Sequence, residues 1–126
     1  MSATTTIENF ELLYLHDSMV TSFEVLTAEA RCRLRLHAGA VLRTKGGDKF
    51  NPLARYAPAL LTVEGVREIA FEGRYQLNAT IVDIEARALP DGENVEFVFD
   101  LTGGHDADAY FVKLRIVGKG FALGPG

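Results

Sequence analysis

Arg31-Cys32-Arg33-Leu34-Arg35-Leu36-His37-Ala38 alternates without a break between basic side chains and apolar ones. A period of two is that of a β-strand, so Cys32, Leu34, Leu36 and Ala38 share one face and Arg31, Arg33, Arg35 and His37 the other. One face suits a core and one suits water, which is the mark of a strand in a sheet covered on one side.

The pattern repeats on both sides of this stretch. Residues 19–26 read as a preceding strand, with Met19, Thr21, Phe23 and Val25 as the expected core face and Val20, Ser22, Glu24 and Leu26 opposite. The short link Thr27-Ala28-Glu29-Ala30 predicts an antiparallel hairpin between the two. Residues 60–66 resume as a strand, and Arg67 to Gly73 either continue it or turn a corner, punctuated by Gly65 and Gly73. Ile81, Val82, Ile84 and Ala86 mark a longer run over residues 79–89. It ends at the turn signal Pro90-Asp91-Gly92 and is answered by Val95, Phe97, Phe99 and Leu101 on one face of the next strand. After Gly103-Gly104-His105-Asp106-Ala107-Asp108, residues 110–117 alternate again. Six or seven short strands with close turn signals and no long helical pattern predict an all-β fold. We expect an antiparallel β-sandwich, with a barrel as the alternative.

Three segments stand outside this pattern. Residues 7–15 are apolar enough to cover a core, as a helical turn or an extended piece. Residues 39–58, with Gly46-Gly47-Asp48, Asn51-Pro52 and Pro58, predict a long excursion, the leading candidate for a binding loop. Phe121 to Leu123 near the C-terminus suit an edge strand, which could pair across a dimer or lie protected on a monomer.

A chain of 126 residues fits one domain, 1–126, with residues 1–6 expected as a flexible tail. Such a domain buries roughly two-thirds of the surface of its unfolded chain. The composition, 48% hydrophobic and 24% charged, is that of an ordinary globular protein. A net charge of −4 counts against nucleic acid or an anionic membrane as partner, because both are met by basic surfaces. The opening residues lack the pattern of a secretory signal and no segment has the apolar length of a membrane span, so a cytoplasmic location is expected. The single cysteine, Cys32, rules out an intrachain disulfide and falls on the inward face, where a small buried hydrophobe is expected.

Chemistry is written far less clearly. Two of the three histidines precede an aspartate, at His16-Asp17 and His105-Asp106. Imidazole and carboxylate both ligate divalent cations, so the two dipeptides could form a metal site if the fold joined them. The stronger reading makes Asp17 a turn former ahead of a strand, and His105, Asp106 and Asp108 a solvated hairpin turn. No nucleophile elbow, phosphate loop, dinucleotide fingerprint or paired-histidine zinc motif occurs, so no catalytic residue and no cofactor are expected. The Arg31, Arg33, Arg35 and His37 stripe is the candidate partner surface. The mixed stripe Asp83, Glu85 and Arg87 offers the opposite reading, of exposed charges satisfied by one another.

Leu15-His16-Asp17-Ser18 with the two strands after it, and Leu60-Leu61-Thr62-Val63-Glu64-Gly65-Val66, resemble elements of a group of small uncharacterised bacterial proteins. The resemblance covers residues 15–90 and implies a β-rich single domain. Some similar sequences are regarded as immunity proteins, which neutralise toxins of neighbouring cells, and no catalytic residues come with the likeness. The expectation is therefore a non-enzymatic, immunity-like module that binds another protein. The alternatives are a metal-binding domain, possibly enzymatic, built on His16, Asp17, His105 and Asp106, and a binder of small ligands through exposed aromatics.

Overall fold

Alternating residues build nine strands among the described residues: β1 Leu13–Tyr14, β2 Val20–Leu26, β3 Arg31–Val41, β4 Ala57–Glu64, β5 Glu68–Glu72, β6 Thr80–Ala88, β7 Val95–Gly103, β8 Tyr110–Gly118 and β9 Gly120–Pro125. They come from a computed structural model that describes residues 10, 13–41, 57–74, 79–104 and 109–125. The tail at 1–6 and most of the 39–58 excursion lie outside the described residues, and residues 39–41 belong to β3. Every pairing is antiparallel. In the first sheet β1 and β2 lie one after the other along the same edge of β3, followed by β4 and β9. The second sheet has the order β5-β8-β7-β6. The two sheets form an all-β, sandwich-like fold without a closed barrel. No helix among the described residues is long and apolar enough to cross a membrane.

The inward residues named by the alternation fill the space between the sheets. Leu34, Leu61, Val63 and Phe121 come from the first sheet and Ile81, Phe97, Phe99, Leu101, Leu114 and Ile116 from the second, all fully buried. Phe10 closes one side of this layer, its ring 5.1 Å from both Phe97 and Phe121 and 5.9 Å from Phe99. Burying such a side chain stabilises the fold by about 1.5–3 kcal/mol.

Two joints hold the sheets together. At the first, β4 runs into β5 while β8 runs into β9, so both chains of one antiparallel ribbon bend from sheet to sheet side by side. Lys119 N donates to the Glu64 carbonyl and Arg67 N to that of Val117, each at 2.8 Å. This bend needs glycine. Gly65 has φ +64, and a Cβ on Gly118 would stand 2.8 Å from the Glu64 carbonyl oxygen, a backbone atom that has no room to yield. Residues 67–73 therefore follow a corner and supply β5, one of the two expectations for that stretch. At the second joint the chain between β1 and β2 bonds to β6 as well as to β3, with Met19 bridged to Thr80.

The sequence misplaces one face. Met19 and Thr21 are exposed and Val20 is buried, the reverse of the predicted pattern for the start of β2. A register irregularity between Val20 and Ser22 is the cause: one extra residue flips the alternation, so Val20 and Phe23 point inward from the same strand. The strand count also exceeds the expected six or seven, because the β1 and β5 pieces are too short to announce themselves.

Candidate functional site

β3 is the centre of the first sheet's outer face, and register fixes its neighbours. Arg33 stands between Glu24 of β2 and Thr62 of β4, with Ala122 of β9 beyond. Arg35 stands between Ser22 and Leu60, with Gly124 beyond, and Arg31 between Leu26 and Glu64. The stripe predicted from the sequence is therefore real, but its four members do different things. Arg31 pairs with Glu64 at 3.3 Å and approaches Glu29 at 3.9 Å. His37 accepts a hydrogen bond at Nδ1 from the Met19 amide, 3.1 Å away, and its own amide donates to the Met19 carbonyl at 3.0 Å. That imidazole fastens the start of β2 to β3. Arg33 and Arg35 have no carboxylate within ion-pairing distance among the described residues, although Glu24 lies directly opposite Arg33.

The outer face of the second sheet is built differently. Glu96, at 13% side-chain exposure, is held by Arg115 and by Arg87, the latter at 3.3 Å. Arg115 reaches on to Glu68 at 2.6 Å, Arg87 to Glu85 at 2.9 Å, and Lys113 lies 3.9 Å from Asp100. Hydrogen bonds from Arg115 to Glu96 first and Glu68 second raise the guanidinium's affinity for its proton. Of the mixed stripe of β6, Glu85 and Arg87 pair within their own sheet, while Asp83 accepts from the Ile84 amide. All three lie on the other sheet from the β3 arginines.

His16, Asp17 and Ser18 form the second joint between the sheets. His16 Nδ1 lies 2.7 Å from the Val82 carbonyl oxygen, which only accepts, so Nδ1 carries a proton. Asp17 has φ +68, an unusual left-handed conformation that Asp tolerates better than most residues. Its amide donates to the Ile81 carbonyl at 2.8 Å, and its carboxylate Oδ1 lies 3.5 Å from His16 Nε2. Ser18, buried, bonds through its hydroxyl to the Ala38 carbonyl of β3. The step thus ties β3 of one sheet to β6 of the other. The cavity beside His16 is small, about 60 Å³. His105 and Asp106 lie outside the described residues, and among the described residues no group of three or more His, Cys, Asp or Glu side chains is placed to hold a metal ion.

Cys32 is fully buried, and burial pushes its thiol up to about 12, with a smaller opposing contribution from the Val63 backbone. It is a core residue, not a nucleophile at neutral pH.

A larger groove of about 230 Å³ opens at the end of β2, between the β2–β3 turn and the β4–β5 corner. Val25, Leu26, Val66 and Ile69 line it, and Arg31 and Arg67 stand among its lining residues. This groove has no signature in the sequence. Val25, assigned to the core face, is 47% exposed because that face looks into the groove. No family model, curated protein or solved structure matches the chain.

Proposed function

We propose that this chain is a non-enzymatic protein-binding module that meets an acidic partner surface with the outer face of its first sheet. The observation that carries the reading is the contrast in arginine pairing. Of the arginines on described strands, Arg31, Arg87 and Arg115 each hold a carboxylate, whereas Arg33 and Arg35 hold none among the described residues. A guanidinium presents a rigid fork of donors suited to carboxylates, and Arg is enriched where proteins meet. Around these two lie Leu60, Thr62, Ala122 and Gly124 on one side, mostly small or apolar, and Ser22 and Glu24 on the other. The likeness to proteins regarded as immunity factors supports the same kind of work, in which a small stable domain covers a surface of another protein.

The test is a pull-down from the native host's lysate with mass spectrometry, using the wild type, an Arg33→Ser/Arg35→Ser variant and an Arg87→Ser/Arg115→Ser variant. A stoichiometric partner retained by the wild type and the last variant, and lost from the first, is the expected result. A partner held equally by all three removes the assignment to this face. A metal content that persists through mild purification supports the alternative built on His16 and Asp17.

A further inference from the structure

Sheet edges are dangerous surfaces, because unpaired backbone groups recruit other strands, and this fold defends all but one of its described edges. β2 carries the irregularity between Val20 and Ser22 and the charged Glu24. β5 is five residues long and has Glu68 and Glu72 at its ends. β6 has a register shift between Ile81 and Asp83, and Met19 bridges its start at Thr80. Along Gly120–Gly124 β9 has none of these devices, and Pro125 stands only at its end. Gly120-Phe121-Ala122-Leu123-Gly124 holds no charge and pairs with β4 in unbroken register, and among the described residues β4 is its one strand neighbour.

We infer that β9 is a self-association edge that pairs antiparallel with β9 of a second copy of this chain. The argument for a second copy, over a foreign strand, is the symmetry of the segment. Gly-Phe-Ala-Leu-Gly is palindromic in size and polarity about Ala122. A two-fold axis there sets Phe121 opposite the partner's Leu123 on the inward face and Gly120 opposite the partner's Gly124 on the outer one. Large apolar groups then meet large ones and small groups meet small ones, as an isologous interface requires. The pairing extends the first sheet through both copies and adds backbone hydrogen bonds with little side-chain ordering. It sets the two β3 strands five strand spacings apart, about 24 Å. That exceeds the Debye length of about 8 Å, so the two arginine pairs do not oppose association. The inference is independent of what the arginines bind.

Sedimentation velocity across a dilution series tests it, with Ala122→Lys and Ala122→Glu variants of the full chain. Ala122 is half-exposed on the outer face, so a long side chain there reaches solvent, yet at the two-fold it meets its own copy. The expected result is a wild-type dimer, monomers of half the mass for each variant alone, and a dimer restored when the two variants are mixed. A wild type monomeric throughout, variants that stay dimeric, or variants that do not re-associate on mixing each overturn the inference.

Discussion

The outer faces of the two sheets start from the same sequence device, charged residues at every second position, and end in opposite states. On the second sheet, Glu96 draws Arg87 and Arg115 together, and their remaining donors go to Glu85 and Glu68, so that face is closed upon itself. On the first, Arg31 is paired, His37 is tied to the backbone, and Arg33 and Arg35 are left facing Thr62, Leu60 and solvent. Alternation decides which side chains point outward. Whether they are spent within the fold depends on which carboxylates come within reach, and register alone does not ensure it: Glu24 stands opposite Arg33 on β2 without an ion pair, whereas Glu96 is shared by Arg87 and Arg115.

The comparison can be broken from the inside first. Leu34 lies between Arg33 and Arg35 in the chain, points the other way, and is fully buried opposite Leu61. Leu34→Ala should cost about 2–5 kcal/mol in urea denaturation. A loss below that range would mean that β3 is held by its surface more than by its core. Within the closed face, Glu96→Ala removes the carboxylate shared by two arginines. It is expected to cost about 1 kcal/mol, less at high salt. A second device on that sheet is the β6–β7 turn, where Asp91 accepts hydrogen bonds from the Asn94 side chain and from the Asn94 and Glu93 amides. These hold its carboxyl at about 2, below the ordinary 3.8. A depressed folded value means that the contribution is fully present above 3.8 and is lost as pH falls towards 2. Denaturation at a series of pH values should show wild-type stability falling in that window, and an Asp91→Ala variant, less stable at neutral pH, should lack this part of the fall. On the first sheet, Cys32 should resist alkylation in the folded protein at neutral pH and react on unfolding. Rapid native labelling would contradict its place in the core.

Fold class was legible because the core faces of β3 as far as Leu36, of β7 and of β8 obey a period of two, and burial follows it; beyond Leu36 a register shift buries Gly39 in place of the expected Ala38. Where an extra residue breaks the period, as at Val20–Ser22, the reading inverts. Register and strand order were not legible: nothing near Arg33 in the chain says that Thr62 and not a carboxylate will stand beside it from β4. The two fates of the charged stripes were likewise hidden, since pairing Arg115 with Glu96 and Glu68 joins residues far apart in sequence. The His16-Asp17-Ser18 step drew attention as chemistry and serves as a fastening, because its partners, Val82, Ile81 and Ala38, are backbone groups that carry no sequence signature.

If Arg33 and Arg35 are not needed by the fold while Arg87 and Arg115 are, parallel urea denaturation of Arg33→Ser/Arg35→Ser and Arg87→Ser/Arg115→Ser at low salt separates the two pairs. The first variant is expected within about 0.5 kcal/mol of the wild type, and the second unfolds at clearly lower urea. A first variant as destabilised as the second would contradict this division, by showing that the open face too is spent on holding the protein together.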